Sequence, residues 1–304
     1  MNKKAHLAGI GFSIIFGFSF MFSKKLMAYI SPMGVISYRF LIAFLAFEIL
    51  RRSKVIHINL RNKSNWPIII VGVFQPVLYF IFETYGLEKT TSAEAGLMIA
   101  LIPIFVTIFS AIILKEKPRI LQILFILVSF LGVVVIQILN PNDGFEINYI
   151  GFILLLSAVI SAALFNIASR SASRTHKAIE TTYLMSFMGM ISFNLIYLIQ
   201  LSIEGNTMSY ITVLSNLNVI GPILYLGLIA SIFGFLLVNY SLSQLPAHVT
   251  SIYANISTIV SVIVGFLFLS EIITLYHLIG GVLIIIGVYG TTRVNYLINK
   301  RKII

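Results

Sequence analysis

The chain has 304 residues, of which 59% are hydrophobic and only 10% are charged, and its mean hydropathy is +1.00. A soluble globular domain carries about a quarter charged residues, so this composition excludes soluble, disordered and fibrous proteins. The apolar runs are long and continuous, as in membrane-spanning helices of roughly 20 residues, and lack the alternation of barrel strands. We therefore expect an all-α membrane protein whose surface faces a lipid bilayer.

Apolar runs separated by short polar breaks predict ten transmembrane helices. At roughly 30 residues for each span with its loop, a chain of this length accommodates about ten spans and no soluble domain. The first run follows Lys3 and Lys4, and we expect a retained membrane helix there because no Ala-x-Ala-like cleavage site follows it. In chain order the predicted spans are 6–23, 33–50, 66–87, 92–114, 119–139, 149–168, 180–202, 219–240, 247–269 and 275–293.

The basic residues in the breaks predict the orientation of these spans. Of the 21 Lys and Arg residues, 17 fall at the amino end, after spans two, four and six, or in the carboxyl tail. Cytoplasmic loops collect Lys and Arg, so we expect a multi-pass protein of the cytoplasmic membrane with both termini in the cytoplasm. The net charge of +11 reflects this orientation, and we expect no nucleic-acid partner.

The sequence contains no motif that indicates an enzyme or a cofactor site. It has no cysteine, which excludes disulfides and thiolate metal sites. It also lacks a Gly-rich phosphate loop, a Gly-x-Ser-x-Gly elbow and a His-Glu-x-x-His motif. The five histidines lie at span ends or in loops without the spacing of metal ligands. We therefore expect no enzymatic activity, no cofactor and no metal.

A shift of 155 residues brings the two halves of the chain into register without a gap. Matches of Leu with Ile carry little information in apolar helices, whereas matches of Pro, Gly, Tyr and Glu at one constant shift are informative. The informative pairs are Pro67 with Pro222, Gly72 with Gly227, Tyr85 with Tyr240, Glu116 with Glu271 and Gly132 with Gly287. The pattern predicts two five-helix repeats, residues 1–145 and 146–304.

The second repeat must be inverted, because a unit with an odd number of spans reverses the direction in which the next unit enters the membrane. Inverted repeats are typical of secondary transporters, in which two halves rock about a site near the midplane and expose it to each side in turn. The repeat therefore favours transport by alternating access.

Several short motifs lie along the chain, and one of them, Leu-x-Glu, ends corresponding spans in both halves. They are Gly17-Phe18-Ser19-Phe20 followed by Lys24, Ser31-Pro32 followed by Arg39-Phe40, Tyr85-Gly86-Leu87 before Thr90-Thr91-Ser92-Ala93, Pro103 thirteen residues before Leu114-Lys115-Glu116, and Leu269-Ser270-Glu271. With these motifs the whole chain resembles the drug/metabolite transporter superfamily, of the ten-helix EamA type. The resemblance implies a pseudo-symmetric basket of helices and export of amino acids or other small metabolites. One position departs from the family pattern, because Thr258 stands where a proline is usual.

Charged residues inside the spans are candidates for gating or coupling, since a charge in hydrocarbon commonly costs several kcal/mol. Arg39 lies about seven residues inside span two, roughly 10 Å deep, and Glu83 about four residues inside span three, roughly 6 Å deep. Their similar depth predicts an ion pair. The pair would either neutralise two buried charges or meet the substrate or a coupling proton.

Three further charges lie at span ends. Lys24 breaks the orientation rule at the outer end of span one, where it would either anchor the helix at the interface or guard the external mouth and attract a carboxylate. Glu116 and Glu271 end symmetry-related helices, and for both we expect capping or loop contacts.

Polar side chains near the middle of the spans are candidates for binding the substrate, because transporter sites lie near the midplane. Gln75 lies in span three, and Asn255 and Thr258 share one face of span nine. Ser13 and Ser161 lie at similar depth, although serines in membrane helices most often contribute to packing. Asn255 and Gln75, the bulkiest polar groups of the set, are the first candidates.

We therefore expect a secondary transporter, a monomer or homodimer, that moves a small organic metabolite such as an amino acid across the membrane, with export the favoured direction. A proton is one candidate for the coupling ion. Within transport, the alternatives are multidrug efflux and metabolite uptake. A membrane signalling or scaffold protein is the alternative outside transport, and it would produce no saturable flux.

The charge distribution makes a direct prediction about topology. Reporter fusions after Asn65 and Lys177 should report the cytoplasm, and those after Asp143 and Gly205 the outside, because the basic breaks stay inside. A cytoplasmic signal from the Asp143 fusion would contradict the inverted repeat.

Overall fold

The computed structural model describes residues 2–60, 64–87, 89, 98–138, 149–269 and 275–301. These residues form helices joined by short connections, and they contain no β-strand. The helices are α1 (Lys3–Met27), α2 (Pro32–Arg52), α3 (Trp66–Gly72, Val73–Leu78 and Tyr79–Leu87), α4 (Ile102–Ile112), α5 (Ile120–Ile138), α6 (Tyr149–Ala172), α7 (Ala178–Ile203), α8 (Leu217–Leu224, Tyr225–Gly234 and Phe235–Gln244), α9 (Ala247–Ser251 and Ala254–Leu269) and α10 (Leu275–Arg301).

The order and type of the helices confirm the predicted all-α membrane fold. By length and composition, eight helices among the described residues are able to cross a membrane, and two shorter apolar helices, Ile102–Ile112 and Ile120–Val135, fall at spans four and five. Large apolar side chains such as Ile112 and Leu217 are 70% and 82% exposed, as expected for surfaces in contact with lipid. The predicted features at residues 90–93, Asp143 and Glu271 lie outside the described residues.

Helices α3 and α8 are interrupted at corresponding places in the two repeats. Each contains a stretch of π-helix, Val73–Leu78 in α3 and Tyr225–Gly234 in α8, and the 155-residue shift places the first inside the second. In α3 the backbone of Gln75 leaves the helical region, with φ −148° and ψ 120°, directly before Pro76. Proline cannot donate to the preceding turn, so the ladder of hydrogen bonds breaks there.

Helix α9 is also divided, but not at the position where the family pattern has a proline. Its first segment ends at Ser251 and its second begins at Ala254, so the turn at 252–253 precedes Thr258. The absence of a proline at Thr258 therefore does not make α9 continuous.

Helices α5 and α10 pack closely through glycines that the repeat relates to each other. A Cβ atom on Gly132 would lie 2.6 Å from the Gly280 carbonyl oxygen, and one on Gly287 would lie 2.5 Å from the Phe125 carbonyl oxygen. Small residues permit such an approach of two backbones, which is how helices associate where no water drives them together.

The substitution Gly287→Ala should lower the free energy of unfolding by about 1–3 kcal/mol, because its methyl group would force α5 and α10 apart. Gly281→Ala on the same helix is the matched control, since no atom lies within 4 Å of its Cβ position. Thermal unfolding of the purified variants in detergent measures both. Equal stability of the two variants would contradict the close packing at Gly287.

Candidate functional site

The central feature of the bundle is a buried cation on α2. Arg39 is only 8% exposed, and its Nε donates a hydrogen bond of 2.6 Å to the hydroxyl of Ser231, which is fully buried in the π-helical part of α8. The guanidinium carbon lies 5.1 Å from the centre of the Phe80 ring and 5.7 Å from that of Phe40. A desolvated cation gains electrostatic stabilisation from aromatic faces at this range. Arg39 thus joins the first repeat to the second.

A carboxylate on α3 lies near this cation. Glu83 is half-buried, accepts a 3.0 Å hydrogen bond from the Tyr79 hydroxyl one helical turn earlier, and attracts Arg39 electrostatically. Among the described residues, however, no nitrogen–oxygen contact of 4.0 Å or less joins Arg39 to Glu83. The sequence predicted a direct ion pair between Arg39 and Glu83. In the structure their hydrogen-bond partners are Ser231 and Tyr79, which the sequence analysis did not identify.

Helix α1 reaches the same region through an aromatic contact. Tyr225, at the start of the π-helical part of α8, stacks on Phe22 with ring centres 4.2 Å apart. Its hydroxyl donates a 2.9 Å hydrogen bond to the carbonyl of Ile15. Its electrostatic interaction with Arg39 extends the polar cluster from α2, α3 and α8 to α1.

Gln75 lies at the break in α3. It is half-buried, and no hydrogen bond of its side-chain amide is found among the described residues. The next residue, Pro76, packs against Gly189 of α7, where an added Cβ would lie 2.9 Å from the proline ring. A polar amide on an interrupted membrane helix is therefore free to bind a ligand.

Asn255 and Ser13 have partners within the protein. The Asn255 amide donates a 3.0 Å hydrogen bond to the hydroxyl of Ser129 on α5, so it connects the two repeats. The Ser13 hydroxyl is fully buried and bonds the carbonyls of Gly9 and Tyr253, at 2.8 and 2.6 Å. These contacts join α9 to α5 and to α1.

The other predicted site residues are spread over the bundle. The Ser161 hydroxyl donates to the carbonyl of Ser157 on its own helix at 2.8 Å, Thr258 is half-buried on α9, and Lys24 is exposed near the end of α1. None of these contacts brings the three residues into the cluster around Arg39. In the described residues, no group of three His, Asp or Glu side chains is arranged to hold a metal ion.

A second charged cluster closes the end of the bundle at which α4, α6 and α8 finish, named here the basic end. Glu116 forms a 2.8 Å salt bridge with Arg170 of α6, and its other oxygen accepts a 3.0 Å hydrogen bond from the backbone NH of Ala247, the first residue of α9. Arg170 also donates to the carbonyls of Leu242 and Ser243, both at 3.0 Å. Glu116 therefore does contact a helix end, as expected, and it also joins the first repeat to the second.

Buried asparagines connect helices within the second repeat and also join the second repeat to the first. Asn239 of α8 accepts a hydrogen bond from Ser169 at 2.6 Å and donates one to Thr182 at 2.9 Å, and Asn194 of α7 accepts one from Ser37 at 2.7 Å. The criterion that singled out Asn255, an amide well inside an apolar span, applies equally to both of them.

The connection between α7 and α8 is attached to this network. The hydroxyl of Tyr210, which lies outside the spans, also donates a hydrogen bond to Asn194, and burial raises the pKa of this phenol. The Tyr38 hydroxyl of α2 in turn donates to the Tyr210 carbonyl at 2.6 Å. The network therefore fixes the loop against the membrane helices.

Helices interrupted at corresponding places in two repeated units, with a buried charge between the units, are features of membrane transporters built from repeats. Comparison with known proteins agrees. The EamA-like transporter family matches residues 3–138 and 149–293, and the chain belongs to this family.

Relatives match along nearly the whole chain. The transporter YcxC of Bacillus subtilis, described as uncharacterized, is 35% identical over 287 residues, covering 94% of this chain and 92% of its own. The pseudopaline exporter CntI of Pseudomonas aeruginosa is 24% identical over 292 residues, covering 94% and 96%. A crystal structure with 18% sequence identity superposes with a TM-score of 0.75 over 95% of this chain and 98% of its own, which supports the fold.

The buried hydrogen bond between Arg39 and Ser231 predicts that replacing Ser231 destabilises the protein more than replacing Ser157 does. Ser231→Ala should lower the free energy of unfolding by about 1–3 kcal/mol, because it leaves a desolvated guanidinium without its acceptor. Ser157→Ala is the control, since that exposed hydroxyl bonds only the Ile153 carbonyl of its own helix. If chemical or thermal unfolding finds Ser231→Ala as stable as Ser157→Ala, the contact with Arg39 does not stabilise the bundle.

Proposed function

We propose that this protein is a secondary transporter of the cytoplasmic membrane that exports a small organic metabolite, an amino acid or a related compound, by alternating access. Membership of a transporter family supports transport in general. The exporter among the relatives supports the outward direction. Multidrug efflux and metabolite uptake use the same architecture and remain the alternatives within transport.

The observation that carries the proposal is the buried Arg39 between the repeats. Burying a charge in the membrane interior costs free energy, so charged residues within spans are found mainly where they have a function. Arg39 and Glu83 present opposite charges beside the aromatic rings of Phe80 and Phe40. We infer that Arg39 binds the carboxylate of the solute through guanidinium donors that Ser231 leaves available, and that Glu83 faces its amino group or exchanges a coupling proton.

Among the predicted midplane residues, Gln75 fits direct contact with the solute best, since its amide forms no hydrogen bond among the described residues and its backbone is non-helical. Thr258 is the second choice on the opposite repeat. Asn255, Ser13 and Ser161, whose side chains already bond protein groups, are proposed to shape the site and to contribute ligands when the helices shift. Lys24 is proposed to attract anionic solutes at the external mouth.

Alternating access also needs closures at both ends of the path. We propose that Glu116, Arg170 and the amino end of α9 form the cytoplasmic closure, since their contacts join the two repeats at the basic end. Glu271, which the repeat shift relates to Glu116, is proposed to act at the external end. The two repeats, residues 1–145 and 146–304, are the moving units of this mechanism, in a monomer or a homodimer.

Transport and binding by the purified protein test the proposal. Proteoliposomes should accumulate radiolabelled amino acids or related carboxylates in a saturable counterflow assay, and the transported solute should raise the unfolding temperature in detergent. Gln75→Ala should weaken this stabilisation by about 1–3 kcal/mol of binding free energy, because a buried polar group of the solute would lose its partner. Gln200→Ala is the control, since that amide bonds Glu204 on the surface.

Other outcomes separate the alternatives. Absence of saturable flux for every solute class would exclude transport and favour signalling or scaffolding. Flux of apolar cations without amino acids would favour multidrug efflux. A stable Glu83→Gln protein that binds solute but has lost the pH dependence of its flux would assign proton coupling to Glu83.

The cytoplasmic closure makes a separate prediction. The chain has no cysteine, so Ser169→Cys, at a buried position in α6 one residue before Arg170, provides one reactive thiol. Glu116→Gln with Arg170→Gln should increase labelling of this thiol by a water-soluble thiol reagent at least tenfold, because removing both charges frees the ends of α4, α6 and α9.

Arg174→Gln, which removes an exposed charge four residues beyond Arg170, is the control. Unchanged labelling in the double variant, with folding preserved, would mean that the salt bridge does not close this end.

A further inference from the structure

A groove on the outside of the bundle lies apart from the central site. It has a volume of about 550 Å³, within the range of about 300–1,000 Å³ common for ligand sites. Helices α3 and α6 and the end of α4 form its walls. The apolar part of the lining consists of Ile70, Phe74, Ile113, Leu114, Leu164 and Ile167. Ile70 and Ile113 are 43% and 54% exposed, so the apolar wall is continuous with the surface that contacts lipid.

Two cations stand at one end of this apolar groove. Lys115 and Arg174 both line it, as does Ser171 in the last turn of α6. Both cations are exposed, and neither forms a salt bridge within the described part of the chain. Arg170, one helical turn from Arg174, is by contrast fully engaged with Glu116 and two carbonyls.

The backbone of Lys115 adopts a conformation that is unusual for a residue other than glycine. Its φ is +58°, a left-handed conformation that is unfavourable for a residue with a side chain and almost free for glycine. A lysine in this conformation turns the chain at the end of α4 and brings an ammonium group to the groove.

We propose that this groove binds one anionic phospholipid, with the phosphate between Lys115 and Arg174 and an acyl chain along the apolar wall. Basic pockets between membrane helices bind anionic headgroups, and the apolar wall supplies the part of the site that a free phosphate would not use. A polar solute would leave that wall unfilled, whereas an acyl chain matches it. The proposal concerns the binding of a lipid and not transport, so it does not rest on the proposed function.

The test uses short-chain lipids on the purified, full-length protein in detergent. Dioctanoyl phosphatidylglycerol should raise the unfolding temperature in a saturable manner, dioctanoyl phosphatidylcholine should not, and glycerol phosphate, which has the headgroup charge without acyl chains, should not either. Native mass spectrometry should detect one retained phosphatidylglycerol per chain.

Two variants locate the site. Lys115→Gln with Arg174→Gln should raise the phosphatidylglycerol concentration needed for half of the stabilisation at least tenfold. Lys117→Gln with Arg119→Gln is the matched control, because it also removes one Lys and one Arg, both from the loop that carries Lys115, and neither of them lines the groove. Ala168→Phe, which fills the groove but keeps both cations, should weaken the lipid effect as strongly as the charge variant.

Three results would overturn the proposal. Equal loss of the lipid effect in the control would assign it to the general positive charge of this end. Equal stabilisation by phosphatidylcholine would remove the role of Lys115 and Arg174. Full stabilisation by glycerol phosphate would make the groove a phosphate site instead of a lipid site. Because stability and mass are measured directly, failure here leaves the transport experiments unaffected, and their failure leaves this test valid.

Discussion

A cation inside an apolar bundle has to be solvated by the protein itself, and this constraint fixes the arrangement of the central helices. Arg39 obtains an acceptor from Ser231, aromatic faces from Phe80 and Phe40, and the field of Glu83. Ser231 lies in a π-helical segment of α8, and Gly227 in the same segment lets α2 approach until an added Cβ would lie 3.2 Å from the Arg39 carbonyl. The interruption of α8 and the close contact between repeats therefore serve the same buried charge.

The same constraint explains where the other polar groups lie. Hydrocarbon offers no hydrogen bonds, so many amides and hydroxyls within the spans bond neighbouring helices or the preceding turn, although Gln122 Nε2 and Thr291 Oγ1 are buried without a partner in the described structure. Asn194, Asn239 and Asn255 each connect different helices in this way. Gln75 combines an amide that forms no hydrogen bond among the described residues with a non-helical backbone at the break in α3. An amide that the protein does not bond at such a break is the kind of group that a solute would bond.

Much of the fold follows from the sequence because a membrane span depends mainly on a local property, the length of its apolar run. The shift of 155 residues likewise relates the π-helical breaks of α3 and α8 and the paired glycines of α5 and α10. The contact partners of individual side chains were harder to predict. Sequence gives the depth of a residue but not the direction its side chain faces, so Arg39 was paired with Glu83 and not with Ser231. The Tyr79–Glu83 contact, four residues apart on one helix, was within reach of spacing alone.

Two arginine contacts between the repeats, Glu116–Arg170 and Arg39–Ser231, differ in burial, and this difference affects how the repeats can move relative to each other. The Glu116–Arg170 bridge is partly exposed, with side chains 20% and 26% accessible, and such bridges contribute only about 0–1 kcal/mol. The Arg39 bond is buried, and breaking it without a substitute would leave an unpaired cation in the apolar interior, which costs far more. A transition that opens the basic end therefore requires little energy at Glu116, whereas the centre can rearrange only if another group replaces Ser231 or Glu83 beside Arg39. The carboxylate of a bound solute is such a group, so under the proposed mechanism solute binding at the centre is what permits the repeats to move.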